Sequence, residues 1–291
     1  MREVVMRLSI PFMAKQPPFD GRKLIEGRDT QKIHDYVMAL ALELKANAGE
    51  FSDCEIKAIR LDGGSASIIG GSDLEHLLRL IRAEYHVAEG APVSLCTCPA
   101  DINGANMPFF NRAHITRYDL EFYSLESQDF IHLHTLNYID QLPYISNGFL
   151  RAEQRGNMGA VLIYGKKTIS RWGFRRSILE ITRRPFRHLI LQRCQGEDCL
   201  EDSASEAQLE QANTLLEEHG FRRYLPNAWC IPGNEDQVLI SEKENNDILA
   251  FGLASQTIFD KVLSTNTSDY ELYIKHSRQF ELITADVQNC E

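Results

Sequence analysis

The sequence has little that would suit a nucleic-acid-binding, membrane-spanning or disulfide-stabilised protein. Its 41 acidic residues outnumber 31 basic ones, and the formal net charge of -10 argues against a general nucleic-acid binder. No hydrophobic run approaches the length of a membrane span, and residues 1–7 predict a first strand rather than a signal peptide. The seven cysteines are an odd number without a secreted framework, so reduced thiols and a cytoplasmic location are expected.

Charge of each sign is concentrated in a separate segment. Residues 151–193 contain eleven lysines and arginines but only two acids, whereas residues 197–218 contain eight acids and no lysine or arginine. Such asymmetry is typical of a surface that binds a partner. Charge balance between the two segments is the alternative interpretation.

Strand-like runs alternate with helical periodicity over the first two thirds of the chain. Helices are predicted at residues 30–47, 127–136, 137–149 and 168–183. A further helix is predicted between the second strand and residue 85. Strands are predicted at residues 4–10, 55–61, 93–98, 115–123, 159–164 and 186–192. This alternation predicts an α/β fold with a parallel sheet rolled into a full or partial barrel, whose active face lies at the strand carboxyl ends.

The pattern changes after Gly196. An acidic amphipathic helix is predicted at residues 205–219, and a helical tail is predicted around residues 268–280. Short strand-like pieces follow the acidic helix at residues 221–228, 237–241 and 247–251. We therefore divide the chain into a barrel over residues 1–200 and an α+β extension over residues 201–291.

The stretch Leu61-Asp62-Gly63-Gly64-Ser65 ends the second predicted strand. Two glycines at a strand carboxyl end let a ligand approach bare backbone, at the edge where α/β folds bind ligands. A tight turn is the simpler explanation of the same pair. Asp62 is either a ligand contact or the residue that caps this turn.

Four more short motifs accompany that stretch: Ser9-Ile10-Pro11-Phe12, Leu162-Ile163-Tyr164-Gly165, Gly220-Phe221-Arg222-Arg223-Tyr224 and Ala250-Phe251-Gly252. In their order and spacing, the five motifs resemble the oxygen-independent coproporphyrinogen III oxidase-like proteins. These are radical S-adenosylmethionine (SAM) enzymes, and the group includes related haem chaperones. The resemblance covers residues 5–260 and implies a partial (β/α)6 barrel with a C-terminal region that is truncated here.

The chain departs from this family at the cluster ligands. The resemblance places three cysteines of a [4Fe–4S] cluster where this sequence has Met13, Pro17 and Asp20. None of these side chains is a thiolate, and no cysteine precedes Cys54, so no cluster is expected at this place.

The SAM contacts that the resemblance implies are also changed. An acidic contact is lost at Cys96-Thr97-Cys98-Pro99, a glutamine position falls on Glu121, and an aspartate is replaced by Val161. Only Gly63, Gly64 and Ser65 remain as a vestigial SAM-type site, and the haem-linked segment of the chaperones is absent from residues 238–243. We therefore predict a pseudoenzyme that acts as a binding or accessory subunit in tetrapyrrole, haem or specialised biosynthetic metabolism. Its expected partners are an active homologue, a pathway enzyme or a second copy.

Two other functions stay open. An enzyme with altered, cluster-independent chemistry would draw its acid and base from the barrel mouth. Its candidates are Asp62, Cys96, His114 and Glu121. A haem or porphyrin carrier would instead use Lys166 and Lys167, which replace a Pro-Gly pair at a strand end and suit propionate groups.

Basic and thiol side chains supply the remaining candidate sites. Arg171, Arg175 and Arg176 share a predicted outer helix and suit an acidic protein or an anionic small molecule.

Four thiols could hold zinc or a relocated cluster, with ordinary packing as the alternative. These are Cys96, Cys98, Cys194 and Cys199. SAM and haem stay open as ligands, whereas neither nucleic acid nor a membrane is expected as a partner.

Overall fold

The computed structural model describes residues 1–13, 24–27, 29–126, 157–244 and 247–290. The amino-terminal half alternates strands and helices. Its elements are β1 (Arg2–Ile10), β2 (Phe12–Met13), β3 (Ile25–Glu26), α1 (Thr30–Asn47), β4 (Cys54–Gly63), α2 (Gly71–Glu84), β5 (Val93–Thr97), α3 (Met107–Arg112) and β6 (Arg117–Phe122). The predicted helices at residues 127–136 and 137–149 lie outside the described residues.

The carboxyl-terminal half continues the alternation and then becomes mostly antiparallel. Its elements are β7 (Met158–Tyr164), α4 (Arg171–Thr182), β8 (His188–Arg193), α5 (Asp202–Glu218), β9 (Arg222–Leu225), β10 (Ala228–Cys230), α6 (Gln237–Glu244), β11 (Ile248–Phe251), β12 (Gln256–Phe259), β13 (Val262–Asn266), α7 (Tyr270–His276), α8 (Phe280–Ile283) and β14 (Thr284–Asn289).

Twelve of the described strands form one sheet, in the order β14-β13-β12-β11-β1-β4-β5-β6-β7-β8-β10-β9. The seven strands from β11 to β8 run parallel, and the flanking strands are antiparallel. The six predicted strands of the first two thirds correspond to β1 and β4–β8. The predicted α/β class with a largely parallel sheet is therefore confirmed.

The sheet includes strands from both sides of residue 200. Strand β11 pairs with β1, and Val5 lies opposite Ile248. The division into residues 1–200 and 201–291 stays a prediction, but the central sheet is continuous across it. None of the described helices is long and apolar enough to cross a bilayer.

The two faces of the parallel strands differ in chemistry because alternate residues point to opposite sides. One face is apolar and packs under the helices, with Val4, Met6 and Leu8 of β1 fully buried there. The opposite face, called the inner face, carries Arg7 of β1, Arg60 of β4, Ser94 of β5, Asp119 of β6 and His188 of β8. Most of the free energy of burial therefore comes from the helix-covered face.

The prediction of a strand at residues 237–241 was wrong, since these residues begin helix α6. Asp236 lies just before the helix, and its carboxylate accepts a hydrogen bond from the Val238 amide at 2.9 Å. This is a helix-capping contact. Helix α6 lies against the inner face, where Val238 packs on Val5 and Ala58.

Candidate functional site

A cavity of about 290 Å³ lies at the carboxyl ends of the parallel strands. We call it the strand-end cavity. Strands β1 and β4–β8 each contribute lining residues, and α6 closes one side. The lining residues are Arg7, Arg60, Asp62, Gly63, Gly64, Cys96, Glu121, Val161, Ile190, Gln192, Asn227, Leu239 and Glu242. Three of the four predicted acid or base candidates, Asp62, Cys96 and Glu121, are therefore brought together.

Two arginines hold the Asp62 carboxylate on the floor of this cavity. Arg7 Nη2 lies 2.6 Å and Arg60 Nε 2.9 Å from Asp62 Oδ2. The second ion pair of Arg7 is to Glu242 of α6, at 3.5 Å. Helix α6, from the carboxyl-terminal half, thus supplies a carboxylate that helps to balance the charges of Arg7 and Arg60.

A second set of ion pairs lies deeper on the inner face. Arg117 Nε contacts Asp119 Oδ1 at 3.1 Å, and Asp236 Oδ2 lies 3.4 Å from Arg117 and 3.5 Å from Arg60. All four side chains are buried. Because lone buried charges are costly, these groups depend on one another for stability.

Gly159 of β7 makes room for this deeper set. A Cβ atom at this position would lie 2.3 Å from Asp119 Oδ1 and 3.2 Å from Arg117 Nη2. It would also lie 3.3 Å from Nδ1 of the buried His188. The glycine is therefore required by the polar side chains of neighbouring strands.

These surroundings leave Asp62 and Cys96 poorly suited to acid–base or nucleophilic chemistry near neutral pH. Burial alone would raise the pKa of Asp62, but Arg7 and Arg60 outweigh it and hold this pKa below its ordinary value. Burial, with the nearby Glu121, raises the pKa of the Cys96 thiol well above its usual range. Asp62 stays ionised and paired, and Cys96 stays a thiol.

The glycine pair of the central motif packs on the chain's own backbone. Gly63 has a φ of +99°, and a Cβ there would lie 3.0 Å from the Ile10 amide nitrogen. At Gly64 a Cβ would lie 2.4 Å from the Phe12 carbonyl oxygen. Both glycines border the cavity, but their need for small size is explained by the contact between β4 and the end of β1.

Ser65 is part of a local hydrogen-bond network. Its amide donates to the Phe12 carbonyl at 2.9 Å, and its hydroxyl accepts from the Cys98 amide at 2.9 Å. The Ser67 hydroxyl lies 3.2 Å away. Ser65 thus joins three segments of the chain at one edge of the sheet.

His114 lies far from the other candidates, in the loop that leads into β6. It borders an open groove of about 750 Å³ together with Met1, Glu55 and His86. These residues mark the amino-terminal edge of the strands. His114 therefore cannot act with Asp62, Cys96 and Glu121.

The two lysines after β7 differ in exposure. Lys166 is buried, and its ammonium pairs with Asp198 at 3.0 Å. Lys167 is exposed, and its ammonium lies 3.5 Å from the Glu197 carbonyl oxygen. The buried Lys166 does not offer its charge to a ligand in the strand-end cavity.

The four candidate cysteines fall in separate places. Cys96 borders the cavity, Cys98 follows β5, and Cys194 and Cys199 lie together in the loop after β8. Across the described part of the chain, no three His, Cys, Asp or Glu side chains converge as metal ligands.

The three candidate arginines of α4 are exposed on the outside of the sheet. Arg176 pairs with Glu126 at 3.0 Å and lies over the ring of Trp172, whose side chain is 56% exposed. Among the described residues, no ion pair joins an α4 arginine to a carboxylate of the neighbouring acidic helix α5. The basic and acidic segments nevertheless balance in part, since Lys166 pairs with Asp198 and Arg193 pairs with Asp202 of α5.

Several site residues were missed by sequence reasoning. Arg7, Arg60 and Arg117 occupy the middle or start of strands, and Asp236 and Glu242 come from a segment predicted as strand or loop. One sequence signal could have found the arginines. In β1, Arg7 lies between the buried apolar residues Met6 and Leu8, so its side chain points to the opposite face of the strand.

Comparisons with known proteins agree with this fold. No protein-family model matches the chain. The oxygen-independent coproporphyrinogen III oxidases of Salmonella typhimurium and Salmonella typhi are each 27% identical over 101 residues. The matched segment is 35% of this chain and 22% of the length of each relative.

A solved structure, coproporphyrinogen III oxidase (HemN) from Escherichia coli, superimposes with a TM-score of 0.82. The superposition covers 100% of this chain and 72% of that one, at 15% sequence identity. The chain has the fold of a radical SAM enzyme. This confirms the resemblance that the five motifs indicated, at the level of the fold.

Proposed function

We propose that this protein is a catalytically silent member of the radical SAM fold that acts as a binding or accessory subunit. The observation that carries the proposal is the ionic network at the strand ends. Arg7, Arg60 and Arg117 are each neutralised by carboxylates of the same chain, and α6 supplies part of that charge. The arginine charges of the inner face are thus paired within the chain, at the place where a catalyst would present reactive groups.

The chemistry of the available donors does not fit a [4Fe–4S] cluster. In the resembling family three thiolates hold three irons, whereas the corresponding side chains here are a thioether, an imino-acid ring and a carboxylate. Met13 lies on β2 beside Glu26 of β3, and Pro17 and Asp20 lie outside the described residues. Cys96 is the one thiol among the residues that border the strand-end cavity.

The cavity also fits SAM poorly. Its volume of about 290 Å³ is at the lower limit for sites that bury drug-sized ligands. Val161 borders it where the resemblance places an aspartate, and Gly64 is backed by the Phe12 carbonyl. These features favour a small ligand or none.

The proposed architecture is a partial (β/α)6 barrel with a short C-terminal extension. Side chains from β1 and β4–β8 border one cavity, and Arg60 of β4 lies 3.6 Å from Asp119 of β6, two strands away. The shared cavity and this contact across two strands are each consistent with a sheet that curves around its inner face.

The partner surface is the exposed face of α4, defined by Arg171, Trp172, Arg175 and Arg176. Tryptophan and arginine are the residues most enriched at binding hot spots. Arg176 pairs with Glu126, but among the described residues no carboxylate forms an ion pair with Arg171 or Arg175. Their positive charge favours a protein partner with an acidic surface. Trp172 would supply the apolar anchor, and the arginines would pair with carboxylates at its rim.

Charge reversal on α4 tests this role. Purified protein is used to capture partners from native extract of the source organism, and the complex is then measured with purified partner. Arg171→Glu with Arg175→Glu should weaken binding of an acidic partner by at least about tenfold, as two rim charges are reversed. Lys275→Glu with Arg278→Glu, also exposed, is the matched control and should bind normally.

Three outcomes would overturn the docking proposal. One is a partner that binds the α4 variant and the control equally. Another is self-association lost only in the α4 variant, which would make a second copy the occupant. The third is a monomer that captures nothing at low ionic strength, where exposed charges act most strongly.

A further inference from the structure

Two cysteines meet at the edge of the sheet beside the strand-end cavity. Cys194 follows β8 directly, and its amide donates to the Tyr164 carbonyl at 2.8 Å. Cys199 forms an antiparallel bridge with Lys166. The loop between them reverses at Gly196, whose φ of +97° suits a glycine.

Side-chain contacts complete the pair. The Cys194 thiol is near enough to Cys199 and to the Lys166 ammonium for both to act on its pKa, Cys199 raising it and Lys166 lowering it. The Cys194 thiol itself donates to the Gln195 carbonyl at 3.6 Å. Asp198, within the same loop, accepts from Lys166 Nζ at 3.0 Å and from the Thr168 hydroxyl at 2.8 Å. Two hydrogen bonds fix the loop backbone. The Leu200 amide donates to the Gly165 carbonyl at 2.6 Å, and the Lys167 amide donates to the Asp198 carbonyl at 2.9 Å.

We infer that Cys194 and Cys199 form a redox-active dithiol that closes to a disulfide with a low-molecular-weight disulfide such as oxidised glutathione. Backbone contacts hold both cysteines against residues 164–166, Cys194 through the Tyr164 carbonyl and Cys199 through its bridge to Lys166. A disulfide then requires an adjustment of the short loop between them. The geometry does not extend to a metal site, because no third ligand joins the pair within the described residues.

The two cysteines have different roles in this reaction. Cys199 is half-buried whereas Cys194 is buried, so the reagent reaches Cys199 first. The Cys199 thiolate attacks one sulfur of the reagent, and the other sulfur leaves as a thiolate. The Cys194 thiolate then attacks the Cys199 sulfur and expels the second reagent thiolate.

The exchange balances. The two cysteines lose two electrons and two protons, and the reagent disulfide gains them as two thiols. Burial raises the pKa of Cys194 to about 12, which makes the closing step slow at neutral pH and faster as the pH rises.

Closure would affect the rim of the strand-end cavity. Gln192, two residues before Cys194, borders the cavity, and Asp198 is the charge partner of the buried Lys166. A disulfide would therefore hold both the cavity rim and the Lys166 anchor in one arrangement. The inference does not depend on whether the protein is catalytically silent.

Peptide mass analysis tests the inference directly. Full-length protein is equilibrated with glutathione at several ratios of reduced to oxidised form, quenched in acid, alkylated with N-ethylmaleimide and digested with trypsin. Both cysteines fall in the tryptic peptide of residues 194–222. We expect oxidising mixtures to give this peptide unalkylated and two hydrogen atoms lighter, and reductant to reverse the change.

Single variants identify the order of attack. Cys194→Ser should trap glutathione on Cys199, whereas Cys199→Ser should leave Cys194 free of adduct. Cys96 and Cys98 of the same wild-type sample serve as the internal comparison and should stay alkylated. Circular dichroism before the reaction checks that each variant is folded.

Either of two results with the wild-type protein would overturn the inference. Alkylation of both cysteines at every glutathione ratio would mean that no disulfide forms. A glutathione adduct that persists on Cys199 would mean that Cys194 does not reach it. Both results are obtained with the wild-type protein, so they do not depend on how well the variants fold.

Discussion

At the scale of single residues, Glu43 of α1 is a buried carboxyl with three hydrogen-bond donors around it. It accepts hydrogen bonds from Tyr273 Oη at 2.6 Å, Asn266 Nδ2 at 2.7 Å and the Gly252 amide at 2.9 Å. Burial raises the pKa of Glu43 to about 7, although each of these donors favours the charged form. The carboxyl thus joins α1 to the carboxyl-terminal strands and α7.

Titration of Glu43 should make stability depend on pH. Since its folded pKa exceeds the ordinary value of 4.5, the protonated carboxyl favours the fold. Its contribution is complete below pH 4.5 and is lost as the pH rises to about 7. Across that window the free energy of unfolding should fall by roughly 3 kcal/mol from this group.

Glu43→Gln keeps the size of the side chain and removes its titration. Urea unfolding of both proteins across this pH window should show the fall in the wild type and a much flatter profile in the variant. Parallel profiles would contradict the assignment of this pH dependence to Glu43.

Sequence reasoning reached some of these residues and not others. Asp62, Cys96, Glu121 and His114 were predicted together as acid or base candidates of the barrel mouth. The first three border one cavity because parallel strands end at the same edge, whereas His114 lies at the opposite edge. Arg60 and Glu43 were missed because their burial depends on partners far along the chain, Asp236 and Tyr273. A local pattern cannot show which distant carboxylate or hydroxyl will cover a charged side chain.

At the scale of secondary-structure elements, Asp236 joins α6 to the inner face. Its carboxylate caps the helix at Val238 and pairs with Arg60 and Arg117. Asp236→Ala would remove the cap and leave two buried guanidinium groups short of negative charge. We expect a destabilisation of about 3–5 kcal/mol.

Equilibrium urea unfolding measures this loss. Asp286→Ala, at an exposed position of β14, is the matched control and should change stability by less than about 0.5 kcal/mol. Equal unfolding midpoints for the two variants would show that the Asp236 ion pairs contribute little.

The same helix shows why one element was predicted wrongly. Val238, Leu239 and Ile240 form a short apolar run that suits a strand as well as one turn of a buried helix. The choice is made by tertiary contacts, since Asp236 caps the first turn and Val238 packs on Val5 and Ala58. The strands β1 and β4–β8 were predictable because long apolar runs between glycine or proline turns leave less choice.

At the scale of the whole molecule, the residues that identify the fold are not the residues that would carry out a reaction. Five short motifs were enough to indicate the radical SAM fold, because they mark strand ends and tight turns that the sheet requires. Gly63, Gly64 and Gly252 illustrate this, since each packs against backbone of the β1 region. Motifs that support the scaffold therefore identify the fold and say little about the activity.

Iron and acid-labile sulfide per chain report whether the protein holds a cluster although residues 13, 17 and 20 are not cysteines. Protein is purified and reconstituted without oxygen, desalted and analysed, with a [4Fe–4S] ferredoxin treated in parallel to confirm the procedure. We expect this protein to retain neither iron nor sulfide and to show no broad absorbance of an iron–sulfur cluster. Retention of about four irons and four sulfides per chain would contradict it, since other cysteines would then have rebuilt the site.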